Sequence, residues 1–65
     1  MNLQPTQEPI NDFQNGAILA QHEYKLLREQ GRSQEDIAHI MLSIAKALDA
    51  NMAKGYLAEL NVLVK

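Results

Sequence analysis

A chain of 65 residues without a single cysteine must hold its fold by packing alone. Disulfides and thiolate metal sites are both excluded. A domain of this size buries only ~60% of the surface its unfolded chain exposes. Ordering each residue costs on the order of 1.5 kcal/mol, against ~25 cal/mol per Å² of apolar area buried, and the two terms nearly cancel. A second copy of the chain is the staple left standing, although some domains of this length fold alone. One helical domain is expected over residues 11–65, preceded by a flexible N-terminal arm over residues 1–10. Pro5 and Pro9 in that arm lack a backbone N–H and push the preceding residue away from helical geometry.

Helical periodicity dominates the rest. The spacing predicts a first helix over residues 12–30, with Asn11 and Gln14 at capping-box spacing and Asp12 in the first turn. Phe13, Ala17, Ala20, Tyr24 and Leu27 recur at helical spacing, and Leu19 and Leu26 widen the stripe on one flank. Gly16 costs ~1 kcal/mol relative to Ala inside a helix, so a start after Asn15 is the alternative. Gly31 suits the left-handed position that ends a helix.

A second helix is expected over residues 34–48, with Ser33 as its cap and Glu35 and Asp36 in its first turn. Ile37, Ile40, Met41, Ile44 and Leu48 form its apolar face. No proline separates this segment from the next, so one long helix is the competing reading. The later stripe of Met52, Tyr56, Leu60 and Leu63 is rotated from the earlier one by roughly 100°. A break at Asp49–Asn51 lets both stripes face one core, with a third helix over residues 51–64. Gly55 inside that helix either weakens it or admits another backbone at close range. The fold class is therefore an all-α bundle of two to three helices.

Function is far less constrained. Eight acids against six bases leave a formal charge of −2, so there is no global attraction to phosphate. No apolar run is long enough to span a bilayer, and no secretory signal precedes the domain, so a cytoplasmic location is the default expectation. Glu35 and His39 are spaced i, i+4, with His22 as a conceivable third ligand, but helical metal sites carry denser Glu/His patterns. The expectation is two exposed histidines and no metal. No nucleophile is set up and no glycine-rich phosphate loop is present, so neither catalysis nor a bound cofactor is expected.

Surplus apolar surface is the more persuasive feature. It predicts a protein-interaction or regulatory module that self-associates as a homodimer, through Leu19, Leu26, Tyr56, Leu60 and Leu63. The alternative is a DNA-binding regulator. The run from Ile44 to Leu57 resembles a helix-turn-helix, with Asp49 at the turn position and Asn51 as the cap. That resemblance implies nucleic-acid contacts from Asn51 and Lys54, joined by the basic residues Lys25, Arg28 and Arg32.

Overall fold

The computed structural model describes residues 9–65, with side-chain environments given from residue 12 onward. Three helices follow in order: α1 over Pro9–Glu29, α2 over Gln34–Ala45 and α3 over Ala50–Leu63. The arm expected over residues 1–10 lies almost wholly outside the described residues. Helix α1 begins at Pro9, three residues before the expected start at residue 12. Proline suits the first helical position, where an N–H would have no intrahelical partner.

The first connection is closed by hydrogen bonds that the glycine makes available. Gly31 adopts φ 82°, in the left-handed region. Its N–H donates to the Arg28 carbonyl at 2.9 Å, and the Arg32 N–H donates to the Leu27 carbonyl at 3.4 Å. This paired pattern is a Schellman C-cap, and it satisfies carbonyls that would otherwise be left open. Two residues later Ser33 takes extended geometry (φ −72°, ψ 160°) and its hydroxyl accepts from the Asp36 N–H at 3.1 Å. A cap of this kind stabilises a helix by about 1 kcal/mol.

The second connection corrects two expectations. Helix α2 ends at Ala45 rather than residue 48, because the ladder tightens. The Ala47 and Leu48 N–H groups donate to carbonyls three residues back, at 3.0 and 3.1 Å. Such i→i+3 bonds commonly finish a helix. The residue that opens α3 is Asp49, not Asn51. Asp49 is extended (φ −61°, ψ 156°) and its carbonyl accepts from the Ala53 N–H at 2.7 Å. Its side chain makes no capping bond.

Packing is unequal among the three helices. Helices α1 and α3 lie in far closer contact with each other than either does with α2. The reason is a pair of glycines. A Cβ added to Gly16 would fall 2.0 Å from the Met52 carbonyl oxygen and 2.9 Å from the Tyr56 nitrogen. One added to Gly55 would fall 1.9 Å from the Phe13 carbonyl oxygen. Each glycine thus receives the other helix's backbone where a side chain would stand. The residues that meet keep a nearly constant offset in sequence along both helices, Phe13 with Gly55, Gly16 with Met52 and Tyr56, and Gln21 with Glu59. The two helices therefore run parallel, and α2 returns the chain between them.

The core follows from that crossing. Ala20, Ile37, Met41, Ala45, Tyr56 and Leu60 are buried, and Leu19, Tyr24, Leu27, Ile44, Leu48, Leu57, Leu63 and Val64 pack around them. Helix α2 contributes Ile37, Met41 and Ala45 at four-residue spacing, one side chain per turn. Only Tyr56, Ile37 and Met41 are large side chains with no exposed surface among the described residues. A cluster this small offers little margin over the entropy of ordering the chain.

Replacing Gly16 with Ala raises intrinsic helix propensity by ~1 kcal/mol and so would stabilise a lone helix. At this crossing it must push two backbones apart, and we expect Gly16→Ala to destabilise the fold by about 2 kcal/mol or more. Thermal unfolding followed by circular dichroism reads the sign. A raised melting temperature would show that the helices do not cross at Gly16.

Candidate functional site

The five residues expected to form a protein interface do not share one environment. Tyr56 and Leu60 are buried within the chain itself, so they serve the core and are not available as a free surface. Leu19 and Leu63 are half-buried against that core. Leu26 alone is well exposed. The outward apolar residues are instead Phe13, Ile18, Leu26, Leu42 and Val62. Leu42 stands on α2, apart from the rest in sequence, and Phe13 sits at the start of the α1–α3 crossing.

Ile18 and Val62 are the two most exposed of these, at 61% and 63%. Gln21 Nε2 donates to Glu59 Oε2 at 2.9 Å, bridging α1 and α3. Ile18 precedes Gln21 by one helical turn, and Val62 follows Glu59 by one turn. Ala58, next to Glu59 on α3, is exposed as well. Ile18 sits opposite the α1 stripe that the sequence marks as apolar, so periodicity gave no signal for it.

The residues expected to contact nucleic acid are divided between the two ends of the α1–α3 pair. Lys54 adjoins Gly55, whose backbone meets Phe13. Arg28 stands fifteen residues along α1 from Phe13, which is about 22 Å of helix. Lys54 is exposed and Asn51 is half-buried near the start of α3. At the other end Arg28 is held by its neighbours. Its guanidinium lies 5.8 Å from the Tyr24 ring centroid and donates to the Tyr24 hydroxyl at 3.1 Å. That hydroxyl in turn donates to Gln34 Oε1 at 2.7 Å, tying α1 to the first residue of α2. Arg32 donates to Gln30 Oε1 at 2.8 Å and pairs with Asp36 at 3.0 Å. Lys25 is exposed. Helix α3 itself spends Gly55, Tyr56 and Leu60 on the core.

Compared with protein-family models, with curated proteins and with solved structures, the chain finds no match in any of the three. Its chemistry must be read from its own side chains. Among the described residues no group of three or more His, Cys, Asp or Glu is placed to hold a metal ion. Glu35, Asp36 and His39 line a shallow hollow with Ser33 beside the start of α2. His22 is exposed on α1. No described helix is long and apolar enough to cross a membrane.

One buried polar atom stands out. The Tyr56 hydroxyl is enclosed with no hydrogen-bond partner among the described residues. Burial, with a smaller contribution from the Glu23 carboxylate, pushes its pKa from the usual 10.0 up to about 12. Both effects disfavour the charged phenolate. The hydroxyl does no visible work for the fold, while the ring fills the core beneath the crossing. Leaving such a donor unpaired costs about 1–3 kcal/mol.

Tyr56→Phe removes that cost and keeps the ring, and it should leave stability at neutral pH unchanged or raised. The pH dependence has a definite sign. The folded pKa lies above the unfolded one, so the contribution is fully present below pH 10.0 and lost as pH rises through about 12. Chemical denaturation across this window should show wild-type stability falling by on the order of 2 kcal/mol more than that of Tyr56→Phe. Parallel curves for the two proteins would show that the phenol ionises as readily folded as unfolded.

Proposed function

We propose that this chain is a small helical interaction module that self-associates as a homodimer through outward apolar side chains on α1 and α3. The observation that carries the reading is the imbalance of its apolar residues. Three large side chains are fully enclosed among the described residues, while five large apolar ones stand 43% to 63% exposed. Scattered exposed apolar residues are ordinary on any protein surface. A fold with so small a core gains disproportionately from covering them. The surface we assign takes in Ile18 on α1 and Ala58 and Val62 on α3, all of them exposed. It lies on the two helices that pack most closely, so a partner would meet a firm platform.

The DNA-binding alternative has less support. Its candidate cations are split between opposite ends of the α1–α3 pair, and two of them, Arg28 and Arg32, are already engaged. Phosphate recognition needs several cations converging on one face.

Light scattering across a dilution series tests the proposal. A dimer that dissociates on dilution is expected. The double variant Ile18→Lys with Val62→Lys should be monomeric at concentrations where the parent is dimeric. Both positions are exposed, so its helical content and cooperative melting should be retained. A parent that is monomeric throughout sinks the reading, and a salt-sensitive shift of duplex DNA by that monomer would favour the alternative.

A further inference from the structure

Asn15 is exposed on α1 and is followed directly by Gly16, the residue at which α1 and α3 cross. It is the single Asn-Gly step in the chain. We propose that Asn15 is a spontaneous deamidation site that the folded helix holds shut. The rate of conversion there would then report the open fraction of α1, and the product would disable the crossing it belongs to.

The chemistry needs only water and solvent base. With the Gly16 amide proton removed by base, its nitrogen attacks Cγ of Asn15. An N–Cγ bond forms, the Cγ–Nδ2 bond breaks, and the side-chain nitrogen leaves as ammonia after taking up a proton. The product is a five-membered succinimide. Water then adds to one of its two carbonyls and opens the ring, giving aspartate or isoaspartate. Glycine makes this step easy because no Cβ crowds the attacking nitrogen.

The fold opposes each requirement. Both residues lie well inside α1, which runs Pro9–Glu29. In an α-helix the amide of one residue is directed at the carbonyl four back, so the Gly16 N–H is turned toward Asp12 and away from its own neighbour's side chain. Gly16 is also buried against the Met52 carbonyl and the Tyr56 nitrogen, so the backbone cannot swing locally to bring nitrogen and Cγ together. Helix α1 must open first. Reaction from a rare open state runs at the unfolded rate multiplied by the open fraction.

The product carries the consequence. Aspartate at position 15 retains the normal backbone, whereas isoaspartate inserts an extra methylene into the main chain immediately before Gly16. The Gly16 Cα must meet the α3 backbone with no room to spare. A lengthened main chain displaces that contact and breaks the helical ladder at the same point. The damaged chain is thereby prevented from rebuilding the crossing.

The test incubates the full chain at one pH and temperature in native buffer and in denaturant, with tryptic mass spectrometry resolving asparagine, aspartate and isoaspartate at position 15. Conversion in native buffer should be slower by on the order of a hundredfold or more. Leu60→Ala, a core truncation remote from Asn15 in sequence, should speed conversion in native buffer and leave the rate in denaturant unchanged. Equal rates in native buffer and denaturant would overturn the claim that the helix protects Asn15. The isoaspartyl chain, isolated and returned to native buffer, should lose cooperative melting, while Asn15→Asp should keep it. An isoaspartyl chain that melts like the parent would overturn the claim that the crossing is disabled.

Discussion

The contact of Gly16 with the Met52 and Tyr56 backbone, and of Gly55 with the Phe13 backbone, determines how the remaining chain can be arranged. Two helices that meet through glycine approach more closely than side-chain packing permits, and the reciprocal placement of the Phe13 and Met52 carbonyls allows Cα–H to oxygen contacts across the crossing. Once α1 and α3 are set together and parallel, Tyr56 is carried into the interior and Ala20 is sealed. Helix α2 can then complete the core with a single row, Ile37, Met41 and Ala45. Its place is defined at one end by Ser33 and the Tyr24–Gln34 hydrogen bond, and at the other by the tightened turn before Asp49.

Close approach of two backbones has a cost in enclosed volume. Glycine fills no space, so the crossing itself buries little apolar area, and the core must be found elsewhere. It is found in alanines and a few long side chains, one of which brings an unsatisfied hydroxyl with it. Polar pairs at the rim, Gln21 with Glu59 and Arg32 with Asp36, are exposed and contribute little each. The outcome is a bundle whose geometry is tightly specified at one point and thinly supported around it. Outward residues such as Ile18 and Val62 are left uncovered by the chain's own helices.

Much of this architecture is legible in the residues. Gly31 and Ser33 mark the first turn through φ preference and hydroxyl capping, and both act as those chemistries require. The rotation between the stripes of α2 and α3 points to a break, and the break is there. Helix ends are harder. Pro9 reads equally as the end of an arm or the first residue of a helix, and Leu48 is apolar enough to extend α2 on paper although i→i+3 bonds have already closed it. The surface was hardest. Periodicity identifies Tyr56 and Leu60 as apolar but cannot say whether the chain's own α1 or another molecule covers them. Gly16 looks like a defect in a helix until its counterpart at position 55 is brought beside it, which is a tertiary fact with no local sign.

The parallel pairing also shapes how the fold must form. Helices joined by a short turn meet early, because little chain has to be closed between them. Here the principal contact joins residues near position 16 to residues near position 55, with the whole of α2 lying between. The local neighbours, α1 with α2 and α2 with α3, touch far less. Most of the loop-closure entropy is therefore spent before the best packing is gained, as in folds of higher contact order. Helix α2, thinly packed as it is, acts as the tether that shortens that search.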